Sequence, residues 1–423
     1  MPTTETTAAT LDLTYVRSQF PSLAQTVNGH PAAFLDGPGG TQVPQRVIEA
    51  ISAYLSHDNA NTGGAYDTSR HTDAMLARAR AAMADFLHCG PDEVVFGPNM
   101  TSLTFAISRA IGRELGPRDE ILVTRLDHDA NVSPWIAVAE DRGVTIRWAE
   151  IHDENCTLDL ANLSSKINER TKLVAVGYAS NAVGTINPVK AITRLAHSAG
   201  ALSYIDAVHY GPHGLIDVAT LDCDFLACST YKFFGPHMGV LYGKREHLKR
   251  FRPYKVRPNT NAIPNCWEWG TLNHECIAGI EACVEYIADL GRRSQPGATT
   301  RRAAIKAAYS TIHEHERGLL EKMMSGLKAI PGLTIYGITD PARFNERCTT
   351  FAIRIEGHTP LELATKLGDL GFFTWDGNYY ALNLTEHLDV EKSGGFLRIG
   401  LVHYNTAAEV DRLLASLRAI VGG

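Results

Sequence analysis

Residue types that can carry chemistry are concentrated in five short segments of the chain. Each segment comes directly after a short apolar run, and the five are residues 99–102, 127–131, 180–185, 206–209 and 230–236. Taken singly, each polar residue in them is better explained as a turn residue, a helix cap or a solvated side chain. Together they offer an amine, carboxylates, imidazoles and hydroxyl groups suited to one polyfunctional ligand.

This combination favours pyridoxal 5'-phosphate as the cofactor. That cofactor needs a lysine amine for a Schiff base and a carboxylate that keeps its pyridine nitrogen protonated. It also needs a phosphate site, for which the N–H groups at a helix start are suited, and it benefits from a flat side chain stacked on its ring. Lys232, Asp206, the 99–102 turn and His128 supply these four needs in turn.

The elements that must position these groups are predicted by the apolar runs themselves. The runs in EVVFGPN, EILVTRLDH, GVTIRWAEI, LVAVGYA, LSYID, DFLACS and MGVLYG predict strands. Amphipathic segments between them, such as residues 73–87 and 188–200, predict helices. Strand and helix in alternation predict an α/β domain with a mainly parallel sheet covered on both faces, and ligands bind such sheets at the carboxyl ends of the strands.

The C-terminal third has a different pattern. Residues 301–327 predict long helix, with one break left open, and GLTIYG, TTFAIRIEG, GFFTW and GFLRIG predict strands of a second, smaller sheet. Helices are predicted at 360–370 and 407–421. We therefore expect a large α/β domain over 16–288 and a small α+β domain formed by 1–15 and 289–423, joined within a helix at 276–292.

Composition excludes several classes of protein. The chain has 423 residues, a formal charge of −6 and 44% hydrophobic residues, which argues against a disordered protein and against a nucleic-acid partner. Its eight cysteines form no C-x-x-C pair, so neither a structural zinc site nor a disulfide scaffold is expected. The sequence MPTTETTAATLDLTY lacks the pattern of a signal peptide, and no apolar run reaches membrane-spanning length, so we expect a cytoplasmic protein without a membrane partner.

The ordered motifs GPNMTS, DHDAN, SNAVGT, IDAVH and STYKFFGP resemble those of the class V aminotransferase superfamily. The resemblance is to its cysteine desulfurase and selenocysteine lyase branch, among the fold-type I enzymes that use pyridoxal phosphate, and it extends over residues 34–406. It implies a seven-stranded type of sheet in the large domain, an amino-acid substrate and a homodimer with shared active sites.

The resemblance also implies roles for individual residues. Lys232 would bind the cofactor, Asp206 would pair with its pyridinium nitrogen, His128 would stack on its ring, and Arg398 would bind the substrate carboxylate. The resemblance implies further contacts with the phosphate of the cofactor, with its phenolic oxygen and around the lysine. The residues expected to make them are Asn99, Met100, Thr101, Asn181, His209, Ser229, Tyr231 and, across the dimer interface, Thr271. Asn181 would also contact the substrate.

Three departures from the family pattern bear on function. His209 stands where a Gln is usual, and Tyr231 stands where a His usually precedes the lysine. Desulfurases carry a nucleophilic cysteine in an R-x-G-x-x-C setting, whereas the matching stretch here, residues 375–380, has none, and no cysteine follows Cys348. Because persulfide formation needs that thiolate, sulfur transfer to an enzyme cysteine is disfavoured. The remaining cysteines are interpreted as small packing residues.

The sequence therefore predicts a pyridoxal phosphate-dependent lyase that cleaves a C–S bond of a cysteine-like or S-substituted amino acid by β-elimination. Transamination, epimerisation and desulfuration through another cysteine stay open on the same scaffold, and the natural substrate is not determined. A non-catalytic relative is disfavoured because Lys232, Asp206 and Arg398 are all present. Tyr379 and Tyr380 are predicted to line the substrate site, although packing would explain them equally well.

Overall fold

The structure, a computed structural model, describes residues 10–422. The first nine residues of the predicted 1–15 segment, most of the stretch tested for a signal peptide, and Gly423 lie outside this range. Along the described residues, no helix combines the length and the apolar character needed to cross a membrane.

The strands of the described residues are short and fall into one large sheet, one smaller sheet and three two-stranded pairs. In chain order they are β1 (Thr26–Val27), β2 (His30–Pro31), β3 (Ala33–Phe34), β4 (Val94–Gly97), β5 (Glu120–Thr124), β6 (Thr145–Ala149), β7 (Ile151–His152), β8 (Thr157–Leu158), β9 (Thr171–Gly177), β10 (Leu202–Asp206), β11 (Phe225–Ser229), β12 (Gly239–Gly243), β13 (Leu333–Tyr336), β14 (Thr350–Ile355), β15 (Phe372–Phe373), β16 (Trp375–Gly377) and β17 (Phe396–Gly400).

The helices alternate with the strands of the large sheet and range from 4 to 28 residues in length. They are α1 (Leu13–Ser18), α2 (Gln45–Ala53), α3 (Asp67–Leu87), α4 (Met100–Gly112), α5 (Ser133–Arg142), α6 (Leu160–Lys166), α7 (Val189–Ser198), α8 (Val218–Leu221), α9 (Arg245–Arg250), α10 (His274–Ser294), α11 (Arg301–Lys328), α12 (Pro360–Asp369), α13 (Leu382–His387) and α14 (Ala407–Gly422).

The large sheet has the order β4-β12-β11-β10-β9-β5-β6 and is parallel except for β12, which runs antiparallel to both neighbours. Each of the seven apolar runs identified in the sequence forms one of its strands, so the predicted fold class is confirmed. Alternate side chains point to opposite faces. Along β4, Val94 and Phe96 pack into the core beneath α3, α7 and α10, whereas Val95 packs into the core beneath α4 and α5.

The smaller sheet is antiparallel with the order β13-β14-β17-β16, and α11, α12 and α14 bury its apolar face. Helix α11 is continuous over its 28 residues, so the break that the sequence left open does not occur. The predicted junction at 276–292 falls inside the continuous helix α10. Strand β3 pairs with β15, and Ala33 and Leu35 pack in the core of the smaller sheet, while the domain boundaries themselves remain a prediction.

Candidate active site

The carboxyl ends of β5, β9, β10 and β11 surround one cavity together with the first turn of α4. Parallel strands bring their ends to the same edge of the sheet, which is why segments far apart in sequence meet here. The predicted site residues that line the cavity are Met100, Thr101, His128, Asn181, Asp206, His209, Ser229, Tyr231 and Lys232. An adjoining cleft of about 980 Å³ is lined by Arg398, Tyr379 and Tyr380 among others.

Lys232 lies in a short helical turn directly after β11, and its amine is almost completely buried. Nζ donates a hydrogen bond to the carbonyl oxygen of Gly39 at 3.0 Å and another to that of Pro38. The pKa of the amine is lowered to about 7, mainly by burial and also by the nearby Arg398 guanidinium, while Asp206 opposes the shift. A neutral amine at this position is therefore accessible near neutral pH, as a proton acceptor requires.

Two buried carboxyls lie at or after the ends of the strands on either side of β9 in the large sheet. Asp206 ends β10 and accepts a hydrogen bond from the N–H of Val208 at 2.9 Å. Burial raises its pKa to about 6, and Lys232 opposes that shift. Asp127, which follows β5, accepts bonds from Gly177, Thr124 and Asn131, and burial raises its pKa to about 7 with a further contribution from the charge of Asp206.

His128 follows Asp127 and presents its ring to the cavity. Its Nδ1 accepts the N–H of Ala130 at 3.0 Å, so the proton of the neutral ring is assigned to Nε2. Burial lowers the pKa of the imidazole to about 4, and the charges of Lys232 and Arg398 act in the same direction. The ring is therefore uncharged at neutral pH, which suits a flat side chain that stacks on another ring.

The first turn of α4 forms one end of the cavity. Asn99 caps the helix, its Oδ1 accepting the N–H of Ser102 at 2.8 Å, and does not itself line the cavity. Met100 and Thr101 do line it, at the helix end where N–H groups lack helical partners and attract anions. Gly239 of β12 packs against this turn so closely that a Cβ would lie 2.3 Å from the carbonyl carbon of Asn99.

Arg398 of β17 is buried at the opposite wall. Its Nη1 donates to the carbonyl oxygen of Asn181 at 3.0 Å, its Nε has no hydrogen-bond partner in the described residues, and its guanidinium lies 4.1 Å from the ring centroid of Tyr379. Burial lowers its pKa to about 10. The amide Oδ1 of Asn181 is likewise buried without a partner in that part of the chain. Both unpartnered atoms belong to residues that line this cleft.

The 375–380 loop closes the cleft, and its two tyrosines have different surroundings. Tyr379 is buried, and its hydroxyl donates to the carbonyl oxygens of Trp375 and Phe396, so it is not free to act on a ligand. Tyr380 is 73% exposed, and its ring lies over His128 with centroids 5.5 Å apart. Both tyrosines have positive φ, at 56° and 60°. Non-glycine residues adopt that conformation only where tertiary contacts compensate its cost.

The cysteines lie away from this site. Along the described residues, none lines the cavity or the adjoining cleft. Six of the eight are buried, Cys89 and Cys276 are half-buried, and burial raises the pKa of every one of these thiols. These are the surroundings of packing residues rather than of activated thiolates.

A family model for aminotransferase class-V matches residues 33–413. The chain belongs to this family. It is therefore an enzyme that depends on pyridoxal phosphate, which confirms the family resemblance, the cofactor and the enzymatic character expected from the sequence.

Relatives with two different names are similar over nearly the whole chain. A cysteine desulfurase of Pectobacterium carotovorum is 32% identical over 421 residues, covering 96% of this chain and 97% of the relative. The aminotransferase-like protein FGM3 of Gibberella zeae is 31% identical over 417 residues, with 96% and 98% covered. Among solved structures, a cysteine desulfurase from Thermococcus onnurineus has a TM-score of 0.84 at 24% identity, covering 96% of this chain and 98% of that one, and shows the fold.

The residues present fit the cofactor of the family. The cavity holds a buried amine whose described partners are carbonyl oxygens, a neutral imidazole face and a helix N-terminus. It also holds the buried carboxylate of Asp206, which has no cationic hydrogen-bond partner among residues 10–422. Such a carboxylate binds a protonated pyridine nitrogen, and such a helix end binds a phosphate.

Sequence reasoning gave no role to Asp127, whose position directly after the β5 run was the available signal. Nor did it anticipate the contact with residues 38–39, whose carbonyl oxygens accept hydrogen bonds from the Lys232 amine. Thr271 does not line the cavity; it lies in a separate surface hollow with Trp269 and His274, so its predicted reach across a dimer interface stays a prediction.

Proposed function

We propose that this protein is a pyridoxal phosphate-dependent lyase that cleaves the Cβ–S bond of a cysteine-like or S-substituted amino acid and releases the sulfur without an enzyme persulfide. One observation carries the proposal: the cavity and cleft hold the lysine, the carboxylate and the arginine of the family, but no cysteine among the described residues that line them. The matching loop position is held by tyrosines instead.

Lys232 and Asp206 carry the chemistry at Cα. Bound there, the cofactor supplies an electron sink for a bond broken at Cα. Lys232 would hold the cofactor covalently and, with its amine free, would accept the Cα proton, a role supported by the lowered pKa of that amine. Asp206 would keep the pyridine nitrogen protonated, and His128 would supply the ring that stacks on the cofactor.

The other predicted contacts fix the cofactor in the cavity. The first turn of α4, with Asn99 as its cap and Met100 and Thr101 at the cavity, binds the phosphate together with Ser229. We assign Asn181 and His209 to the phenolic oxygen. The Tyr231 ring lies beside the Lys232 amine, 4.7 Å from Nζ to the ring centroid. Thr271 contacts the partner's phosphate in a homodimer with shared sites.

Arg398 orients the substrate. Nη1 donates to the Asn181 carbonyl, which leaves the unpartnered Nε and Nη2 as the planar pair of donors that a carboxylate accepts, a task that suits guanidinium better than ammonium. With the carboxylate bound there, we place the Cβ substituent along the wall formed by Tyr380. The Cα proton moves to Lys232, the Cβ–S bond breaks with its electron pair leaving on sulfur, and the thiolate takes up a proton. Water hydrolyses the released enamine to pyruvate and ammonia.

A panel of S-substituted cysteines tests this proposal. We expect pyruvate and thiol in equal amounts from at least one of them, with no persulfide on the protein by mass spectrometry. Lys232→Ala should abolish the product and the visible absorbance of the lysine-bound cofactor, whereas Lys249→Ala, an exposed lysine of α9, should change neither. Release of no thiol from any member of the panel would refute the lyase assignment.

Transamination is the second candidate, favoured by the similarity to the aminotransferase-like protein of Gibberella zeae. The same panel distinguishes the two reactions. An aminotransferase yields the sulfur-containing keto acid without releasing thiol and accumulates the aminated cofactor until a keto-acid acceptor is added.

A further inference from the structure

A second cavity, of about 710 Å³, lies apart from the active site. None of the described residues lines both this cavity and the cofactor cavity or its adjoining cleft. Its lining comes mainly from α7, the turns after β10, α11 and the 344–349 segment. Small-molecule sites typically have volumes of roughly 300–1,000 Å³ and combine apolar walls with a few polar groups. The second cavity is therefore large enough to hold a ligand of its own.

The walls of the second cavity are largely apolar and include two stacked tyrosines. Tyr178 follows β9 and Tyr210 lies in the turns after β10, and their rings are parallel to within 11° with centroids 3.7 Å apart. Leu215, Leu320 and Phe344 line the cavity as well. Aromatic faces favour stacking with other flat rings, so these walls fit a flat apolar body.

Where the second cavity opens to solvent, its lining is positively charged. Lys190 and Arg194 lie one turn apart on α7, and Lys306 lies on α11. All three are exposed and form no ion pair in the described part of the chain. Glu314 is the one exposed carboxylate among the described residues of the lining. Three cations against one carboxylate attract an anion to this opening.

Two buried acceptor atoms of the lining have no partner. His213 Nδ1 lies 2.7 Å from Oε2 of Glu316, so its N–H donates to that carboxylate and the neutral ring leaves Nε2 as an acceptor. Both residues are 5% exposed. Within residues 10–422, neither His213 Nε2 nor Glu316 Oε1 makes a hydrogen bond. Unpaired buried polar atoms are costly, so both atoms require a hydrogen-bond donor.

A buried guanidinium offsets the charge of the Glu316 carboxylate. Arg347 lines the second cavity, and its N–H groups donate to the carbonyl oxygens of Ile338, Cys348 and Thr350. Burial lowers the pKa of Arg347 to about 10, so it remains charged at neutral pH. The two buried charges compensate each other, and the net positive charge of the lining comes from the opening. An acidic group is therefore attracted to the opening rather than to the interior.

We propose that the second cavity binds a small organic acid with a flat apolar body and a hydroxyl or amino group, at a site separate from the cofactor site and independent of which reaction the enzyme catalyses. The acidic group lies at the opening, beside Lys190, Arg194 and Lys306. The flat body lies against the stacked tyrosines. The hydroxyl or amino group donates to the acceptors of His213 and Glu316.

Calorimetric titration of the holoenzyme tests the proposal, with a hydroxynaphthoate whose hydroxyl and carboxylate are at opposite ends as the probe. We expect saturable binding of one molecule per chain. Naphthoate lacks the hydroxyl and naphthol lacks the carboxylate. Each should bind at least about 10-fold more weakly, because a hydrogen bond to a charged group contributes about that factor to affinity.

Three variants locate the bound probe. Arg194→Glu reverses a charge at the opening and should weaken binding about 10-fold or more. Arg118→Glu, at an exposed arginine outside the described lining, is the matched control and should bind as the wild type does. Arg398→Lys should also retain binding, which separates this cavity from the substrate site. The visible absorbance of the lysine-bound cofactor reports that each variant is folded.

Absence of saturable binding by the wild-type holoenzyme would overturn the proposal. Equal weakening by Arg194→Glu and Arg118→Glu, or loss of binding in folded Arg398→Lys, would overturn it too, because the probe would then lie elsewhere. Equal affinity for naphthoate and hydroxynaphthoate would overturn the assigned ligand class and leave water as the partner of the two buried acceptors.

Discussion

The two walls of the active-site cavity are built in different ways. On the sheet side, Asp206 ends β10 and accepts the N–H of Val208, and Lys232 lies in the short helical turn directly after β11. On the loop side, Tyr379 and Tyr380 lie in the left-handed region and are held by contacts with distant segments. The carbonyl oxygen of Tyr379 accepts the amide of Asn181 at 2.8 Å, and that of Tyr380 accepts the N–H of Asp129 at 2.7 Å.

This difference indicates where the chemistry is general and where it is particular to this protein. The sheet wall carries groups that the cofactor needs in any reaction, and the ends of the strands position these groups. By the sequence resemblance, the loop wall matches the stretch in which desulfurases carry their cysteine, and here Tyr379 ties it to β17 through the Phe396 carbonyl. A loop fixed in this way suits a wall against which a leaving group lies, rather than an arm that carries a thiolate to and fro.

The largest effect is expected on the sheet wall, from Asp206→Asn. The amide still accepts the Val208 N–H but no longer stabilises a protonated pyridine nitrogen, so kcat should fall about 10²–10⁴-fold, the range for loss of a proton-holding group. Steady-state kinetics and the cofactor absorbance measure this. The matched variant Asp222→Asn, at an exposed turn, should retain activity. Equal activity of both variants would contradict the assigned role.

A smaller effect is expected across the cleft, from Arg398→Lys. Replacing a planar pair of donors by a single ammonium loses about 1.5–3 kcal/mol, so kcat/KM should fall roughly 10–100-fold, mainly through KM. Analogues that lack the α-carboxylate provide the control, because wild type and variant should process them at the same low rate. A uniform loss for both kinds of substrate would instead indicate a structural role for Arg398.

The buried carboxyl beside the sheet wall should make stability depend on pH. The pKa of Asp127 is raised from 3.8 to about 7, so between these pH values this carboxyl binds more protons in the folded chain than in the unfolded chain. Its contribution to the free energy of unfolding therefore falls as pH rises from about 4 to 7, with a slope approaching 1.4 kcal/mol per pH unit. Denaturant unfolding of the cofactor-free protein should show that Asp127→Asn is less sensitive to pH. Identical slopes would contradict this.

The smallest effect separates the two tyrosines of the loop wall. Tyr379→Phe leaves the Phe396 carbonyl without its partner and should lower the free energy of unfolding by about 1 kcal/mol. Tyr380→Phe, at an exposed position, should change it by less than about 0.5 kcal/mol. Thermal and denaturant unfolding measure both. Equal destabilisation by the two substitutions would mean that the Tyr379 hydroxyl does not hold the loop.

Much of the sheet wall could be predicted because strand ends are a local signal. An apolar run followed by a polar residue marks both the strand and the residue that projects from its end, as for Ser229 and Asp206. The continuity of α11 was harder to predict, since an amphipathic pattern alone does not show whether a helix is interrupted. The supporting contact between Lys232 and the backbone at residues 38–39 could not be predicted, because it joins segments nearly 200 positions apart.

By itself, the sequence determined the fold class, the family, the cofactor and the missing loop cysteine, because these depend on residue type and order. Only the tertiary structure decided that the Tyr379 hydroxyl is occupied while Tyr380 is open, and that His213 and Glu316 meet in the lining of a second cavity. These two residues are 103 positions apart, and the packing of α11 beside the turns after β10 brings them together. Such meetings depend on how distant segments pack, and residue spacing along the chain carries no signal for them.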